Sequence, residues 1–87
     1  LAESAFQEEL LSRRRHAVVD DRPVWLVSPE DLVLLKLIAA RPRDLLVVAD
    51  VLFTQGQLDN VYMRIWATKL GVLDRLEKTL SDANATH

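Results

Sequence analysis

The sequence predicts an α+β fold that is mostly helical, with about four helices and one short antiparallel hairpin. Apolar residues recur at every third or fourth position through most of the chain, which is the spacing of helices that bury one face. Two short runs rich in β-branched residues flank the turn-forming tetrapeptide at residues 20–23, which favours a hairpin. With 87 residues, the chain predicts one small domain over residues 1–80, followed by a flexible tail over residues 81–87.

The chain is predicted to begin with an amphipathic helix over Ala2–Arg13. Phe6 and Leu10 lie four residues apart and therefore share the buried face, while the glutamates of this segment point outward. The basic run Arg13–Arg15 complements the negative end of the helix dipole, so we interpret it as a solvated helix end.

Residues 16–19 and 24–27 are predicted to form the two strands of the hairpin, since both are short and rich in valine. A two-stranded ribbon is only marginally stable in water. We therefore expect the hairpin to extend a sheet that is supplied by a missing N-terminal half of the protein or by a partner chain. Trp25 is expected to mark that join.

The most informative stretch is the predicted central helix that begins after Ser28. Ser28 is the expected N-cap, Pro29 occupies the first helical position, and Asp31 completes an S-x-x-[DE] capping box. The residues that follow are apolar on every face, which predicts a buried central helix. Lys36 interrupts that surface, so its ammonium group must either reach water along its stem or bind an anion.

A charged corner follows the central helix. The Arg-Pro-Arg segment 41–43 is predicted to break the chain, and Asp44 then caps a second helix that runs to about Gln55 and stops at Gly56. The two arginines of the corner can steer phosphate or pair with nearby carboxylates, and exposed pairs of that kind contribute little stability.

Two more helices are predicted in the C-terminal third. The first is capped by Asp59 or Asn60 and ends at Gly71, and the second begins near Val72. The spacing of large side chains assigns each helix an apolar face, made of Val61, Tyr62, Ile65, Trp66 and Leu70 in the first and of Val72, Leu73, Leu76 and Leu80 in the second.

Composition limits the classes of function. The chain has no cysteine, so it holds no disulfide or thiolate metal site. Its formal net charge of −2 disfavours general binding to DNA, which requires a basic face. No metal site is predicted, because His16 and His87 have no third ligand at a suitable spacing. No apolar run reaches the roughly 18 residues that span a bilayer, and we expect a cytoplasmic protein with no membrane contact.

The pattern S-P-E-D-L-x-x-x-K-x-x-A-x-R-P-x-D over residues 28–44 resembles a known family. It is similar to the distal half of nucleotidyltransferase-like proteins related to DNA polymerase β, in particular the small bacterial group of minimal nucleotidyltransferases and AbiEii-type toxins. The similarity extends over roughly residues 4–80, mainly as a pattern of helices and hairpin outside the motif.

The resemblance implies a metal-dependent transfer of a nucleotide from a nucleoside triphosphate to a protein or RNA acceptor. Magnesium and the triphosphate are the cofactors that it implies for the complete parent protein. It assigns nucleotide binding to Lys36, Arg41 and Asp44. It assigns no catalytic residue to this chain, because the family's Asp-x-Asp pair after a glycine turn is absent here and Val47 replaces a second acidic position. We therefore expect a C-terminal portion or a degenerate relative that is inactive alone.

The residues themselves also allow other interpretations. Lys36 can be a lysine that reaches water at the edge of a helical bundle, and Asp44 can be only a helix cap. The whole chain can be a non-catalytic protein-interaction module that uses the exposed hairpin edge, or it can self-associate. The weakest alternative is a helix-turn-helix DNA reader, whose second helix offers only Arg64 and Lys69 as basic groups.

Overall fold

The computed structural model describes residues 2–55 and 57–85, and it confirms a mostly helical α+β fold. Five helices and one hairpin occupy these ranges, and each helix corresponds to one of the helical segments predicted above, although the predicted total was about four. In chain order they are α1 (Ala2–Arg13), β1 (Arg15–Val19), β2 (Arg22–Leu26), α2 (Pro29–Ala39), α3 (Pro42–Thr54), α4 (Asn60–Leu70) and α5 (Leu73–Ala85).

The first helix and its buried face are confirmed. The bounds of α1 are those predicted, and Phe6 and Leu10 are its buried side chains. Phe6 reaches Trp66 on α4, with ring centroids 5.6 Å apart in a tilted arrangement. The Phe6–Trp66 contact therefore helps to hold the buried face of α1 against α4.

The hairpin forms where the sequence predicted it, but its turn is shorter. Strands β1 and β2 pair antiparallel with His16 opposite Trp25, and only Asp20 and Asp21 lie between them. Both aspartates adopt positive φ, at 52° and 62°, which is the geometry of a two-residue hairpin turn. Aspartate tolerates that region better than most residues, so the turn closes without glycine and β2 begins at Arg22.

The hairpin lies beside the helical body and packs chiefly on itself. Val18 and Trp25, on one face, are 67% and 58% exposed, and Val19 and Leu26, on the other, are also half exposed. Large apolar side chains are normally covered when a sheet folds. Both faces of this ribbon consequently expose apolar surface.

The second helix forms the centre of the core, packed against α3 and α4. Val33, Leu34 and Leu37 are fully buried on it. The prediction of burial on every face was wrong at Leu35, which is 36% exposed, because the neighbouring helices leave one strip of α2 uncovered. The remaining buried apolar side chains come from the four other helices and from Val72, which directly precedes α5: Phe6, Leu10, Val48, Val51, Met63, Ala67, Val72 and Leu76.

The caps of α2 and α4 are confirmed. Ser28 accepts the backbone N–H of Asp31, with Pro29 at the first helical position. Asp59 is the N-cap of α4 and accepts the backbone N–H of Tyr62. Gly71 ends α4 with φ of 76°, the left-handed conformation that favours glycine.

The start of α3 differs from the sequence prediction. Helix α3 begins at Pro42 with Arg41 as N-cap, so Asp44 occupies the third helical position and is not the N-cap. The helix ends at Thr54 with Gln55 as its C-cap, in agreement with the predicted end at about Gln55, and the predicted stop at Gly56 lies outside the described residues. Helix α5 continues past Leu80 to Ala85, into the segment predicted as a flexible tail, and residues 86–87 lie outside the described ranges.

The predicted face of α4 was also wrong in part. Met63 and Ala67 are its fully buried residues, and Tyr62, Trp66 and Leu70 are partly buried beside them. Val61 and Ile65 are instead 68% and 49% exposed. Apolar residues cover several sides of α4, so a spacing of three and four residues can be traced along either of two adjacent stripes of the helix. The spacing alone therefore does not show which stripe is buried. In contrast, the predicted stripe of α5 does face the core.

Within residues 2–55 and 57–85, no helix is long and apolar enough to cross a lipid bilayer.

Candidate functional site

The three residues that the resemblance assigns to nucleotide binding meet where α2 turns into α3; we call Lys36, Arg41 and Asp44 the α2–α3 corner. Ala40 is the C-cap of α2; its φ of 55° is left-handed, and its N–H donates to the carbonyl of Lys36 at 2.8 Å. Arg41 is extended, as expected for a residue before proline, and Pro42 opens α3. This sharp reversal brings the first turn of α3 beside the last turn of α2.

Asp44 is the centre of the corner and is 1% exposed. Its Oδ1 accepts Lys36 Nζ at 3.3 Å, and its Oδ2 accepts both Arg41 Nε at 2.7 Å and the Arg41 backbone N–H at 3.2 Å. The two cations are less buried, since the side chains of Lys36 and Arg41 are 33% and 56% exposed. The carboxylate is thus enclosed, while part of each cationic head faces water.

The electrostatics of the corner favour the ionised carboxylate. The Arg41 guanidinium is the main cause, and with the Arg41 amide and Lys36 it lowers the pKa of Asp44 to about 2, although burial opposes that change. Two cations share one anion, so the corner carries a net positive charge near neutral pH. Arg43, exposed in the same turn of α3, adds to the positive potential. An anion near the corner would therefore be attracted.

The corner leaves hydrogen-bond donors unused. Both oxygens of Asp44 already accept hydrogen bonds from cationic or backbone donors. Lysine has three N–H donors and arginine has five, of which this contact uses few. Lys36 and Arg41 are therefore the groups of the corner with donors left for a ligand, and Asp44 holds both side chains.

A second buried carboxylate, Asp31, lies near the other end of α2 and was predicted only as part of a helix cap. It is fully buried and accepts hydrogen bonds from Arg13 Nε at 3.3 Å, from Ser28 Oγ at 2.8 Å and from the Tyr62 hydroxyl. We call these four residues the Asp31 cluster. It ties the end of α1, the start of α2 and the first turn of α4 together.

Tyr62 and Arg13 have roles that differ from the sequence interpretation. The Arg13 guanidinium lies 3.8 Å from the centroid of the Tyr62 ring and also contacts Glu30 at 3.5 Å, so it is not a solvated helix end. Burial, followed by the hydrogen bond to Asp31, raises the pKa of Tyr62 well above its usual value. These partners are 18 and 31 residues from Asp31 in sequence, and no local spacing signals such contacts.

An open groove of about 740 Å³ lies beside the Asp31 cluster. Its wall holds Arg13, Arg15, Glu30 and Asp59 together with apolar side chains from β2, α2 and α3. Glu30 accepts the Asp59 backbone N–H at 3.0 Å and pairs with Arg13, which balances much of the charge within the wall. The groove does not include the α2–α3 corner, so the structure keeps these two regions separate.

The basic residues of the suggested DNA-reading helix are engaged within the protein. Arg64 Nε donates to Glu77 at 2.7 Å, and Lys69 Nζ lies 4.7 Å from the centroid of the Trp66 ring. Phosphate contacts normally require free cations on the face that meets DNA. This arrangement favours packing of α4 against α5 over docking in a DNA groove.

Comparison of the chain with protein-family models, with curated sequences and with solved structures found no match. In the described part of the chain, no three histidine or acidic side chains converge as a metal site would require. His16 packs edge-on against Trp25, with centroids 5.2 Å apart, and His87 lies outside the described residues. The similarity to nucleotidyltransferase-like proteins consequently stays a prediction from the motif over residues 28–44.

Proposed function

We propose that this chain is the helical region of a nucleotidyltransferase-like protein and that its α2–α3 corner binds the phosphates of a nucleoside triphosphate. The observation that carries the proposal is the convergence of Lys36 and Arg41 on one enclosed carboxylate, with both cationic heads partly exposed. The motif resemblance supports it independently, because it names the same residues. Magnesium and the catalytic carboxylates would come from another part of the protein.

The corner suits a phosphate because the cations are fixed before the ligand arrives. Asp44 restrains both side chains before binding, so a ligand pays a smaller entropic cost for ordering them. The net positive charge remains available to an incoming anion, and arginine and lysine are the usual partners of phosphate oxygens. In this arrangement Asp44 has a positioning role, whereas Lys36 and Arg41 make the contacts.

The ion pairs of the corner also stabilise the junction of α2 with α3, so the test must separate binding from folding. In the full-length protein that contains this chain, Lys36→Met keeps the aliphatic stem and removes the charge. Calorimetry should show triphosphate affinity lowered by about 10- to 150-fold, since a charge-assisted hydrogen bond contributes about 1.5–3 kcal/mol. Lys78→Met, a change at an exposed lysine of α5, is the matched control and should leave affinity unchanged.

Melting curves for the same variants complete the experiment. A folded Lys36→Met protein with weaker binding supports the phosphate role. Equal affinity in the two proteins would remove Lys36 as a ligand and leave it as a structural partner of Asp44. Loss of binding together with loss of folding calls for Lys36→Arg, which keeps the charge and should restore both properties if the phosphate contact is real.

A second candidate is a non-catalytic interaction module, which the exposed hairpin favours. Val18 and Trp25 lie on one apolar face of a ribbon that packs little against the helices. Such a ribbon gains stability when its free edge pairs with another strand. Both candidates use this edge, but they differ in what supplies the neighbouring strand.

Hydrogen exchange of the hairpin amides distinguishes the two candidates. If the hairpin joins the catalytic sheet of the same protein, its outward-pointing amides should be protected in the full-length protein and exchange quickly in the 87-residue chain. Fast exchange in both proteins would favour an edge that is free to bind a separate partner. The amides of Ala17 and Val24 provide an internal reference, because the pairs of an antiparallel hairpin alternate from the two-residue turn and place these two amides between β1 and β2 in either case.

A further inference from the structure

The outer face of α3 is apolar, although its opposite face already contributes to the core. Leu46 and Phe53 are 72% and 64% exposed, Leu45 is 39% exposed, and Ala49 between them is also exposed. Positions 46, 49 and 53 are separated by three and four residues, so they form one stripe along the helix. That spacing is the a and d repeat of helices that pack against another helix.

Two opposite charges flank this stripe on one side. Arg43 and Asp50 are seven residues apart, which places them on the same edge of the helix about 10 Å from each other. Within the described ranges neither side chain forms an ion pair. Each is therefore available to a charge that approaches from outside this copy of the chain.

We propose that α3 pairs with α3 of a second copy of this chain in an antiparallel, two-fold symmetric contact. In the antiparallel heptad register, Leu46 of one copy meets Ala49 of the other, which sets a large side chain against a small one. On the polar edge, Arg43 of each copy faces Asp50 of the other, so the symmetry forms the same ion pair twice. This contact is independent of the proposed nucleotide function.

Charge complementarity favours a second copy of this chain as the partner of α3 and favours the antiparallel direction of pairing. In a parallel pair, Arg43 would lie at the same level as Arg43 of the second copy, and the two aspartates would also coincide. The antiparallel pair converts both repulsions into attractions. The contact spans 13 residues, or about 20 Å of helix, which is shorter than most stable interfaces require. We therefore expect a weak dimer with a dissociation constant on the order of 10⁻⁵ to 10⁻⁴ M.

Sedimentation equilibrium of the 87-residue chain tests the proposal over concentrations from about 5 µM to about 500 µM. Leu46→Glu should raise the dissociation constant by at least about tenfold, because it sets charges at the centre of the contact. Leu46 is mostly exposed, so the variant should keep its helical circular dichroism. Val61→Glu on α4, a change at a similarly exposed apolar residue, is the matched control and should dimerise like the unmodified chain.

Charge reversal tests the direction of pairing. Arg43→Glu and Asp50→Arg should each weaken dimerisation, since each places like charges together twice. The double variant should dimerise again, and an equimolar mixture of the two single variants should form mixed dimers. A chain that stays monomeric at every concentration would overturn the proposal and leave the α3 face to another domain or protein. A double variant that is weaker than both single variants would overturn the antiparallel register.

Discussion

Replacement of Tyr62 by phenylalanine tests how much the Asp31 cluster stabilises the fold. The substitution removes one hydroxyl and keeps the ring that lies under Arg13. Asp31 Oδ2 retains its contacts with Arg13 and Ser28, whereas Oδ1 loses the Tyr62 hydroxyl, its one hydrogen-bond donor among the described side chains. The carboxylate is fully buried, so water does not readily replace the lost donor.

The expected cost of Tyr62→Phe is about 1.5–3 kcal/mol, the range for a hydrogen bond to a charged group. For a domain of this size, that corresponds to a fall in melting temperature of roughly 6 to 24 °C. Urea denaturation gives the free energy directly. Thr68→Ala is a control, because Thr68 bonds only a carbonyl of its own exposed helix turn, and it should change the free energy of unfolding by less than about 0.5 kcal/mol.

The pH dependence gives a second measurement on the same residue. The pKa of Tyr62 is raised in the folded state, so the unfolded chain loses its phenol proton first, near pH ~10. This contribution to stability is present below that pH and is lost as pH rises toward the folded pKa. Tyr62 is the sole tyrosine of the chain, so the change in ultraviolet absorbance on phenol ionisation comes from this residue. An ordinary phenol titration combined with an unchanged unfolding free energy in Tyr62→Phe would refute the reasoning.

Three further predictions follow from the core and from the α2–α3 corner. Leu34→Ala should lower the free energy of unfolding by about 2–5 kcal/mol, and Leu35→Ala should cost clearly less because Leu35 is partly exposed; thermal melts compare them. The pKa of Asp44 is lowered, so its stabilisation is present above pH ~4 and is lost as pH falls toward 2, and Asp44→Asn should flatten that dependence in acid denaturation curves. The isolated chain should transfer no labelled nucleotide from any triphosphate with magnesium, and metal-dependent labelling would contradict this prediction.

Local chemistry in the sequence was sufficient to place most of the elements. The serine before Pro29, the aspartate before Asn60 and the glycine at position 71 each satisfy groups at a helix end, and each contact lies within four residues. The error at Asp44 arose because proline and aspartate both mark helix starts. Pro42 fixes φ for the first position, so the helix begins there and the carboxylate reaches back to the Arg41 amide.

Contacts between distant segments could not be predicted from the sequence. Nothing near Arg13 indicates that its guanidinium lies over the ring of Tyr62, 49 positions later. The exposure of Val61 is similar, because helix spacing shows that a side chain can share a face but not which face another helix covers. In contrast, Lys36, Arg41 and Asp44 do meet in the structure, since one tight corner brings them together within nine residues, while their role in nucleotide binding stays a prediction.

The two buried aspartates of the motif and its two cations bear differently on the proposed function. Asp31 and Asp44 accept hydrogen bonds on both of their carboxylate oxygens, and these bonds link neighbouring helices. Their presence in the motif is therefore explained by folding alone, and substitutions at either one would disturb structure and binding together. Lys36 and Arg41 are more exposed than the carboxylate they enclose, so they can meet a ligand without unfolding the corner. The nucleotide proposal consequently depends on the two cations, and charge-removing substitutions at those positions are the ones that can refute it.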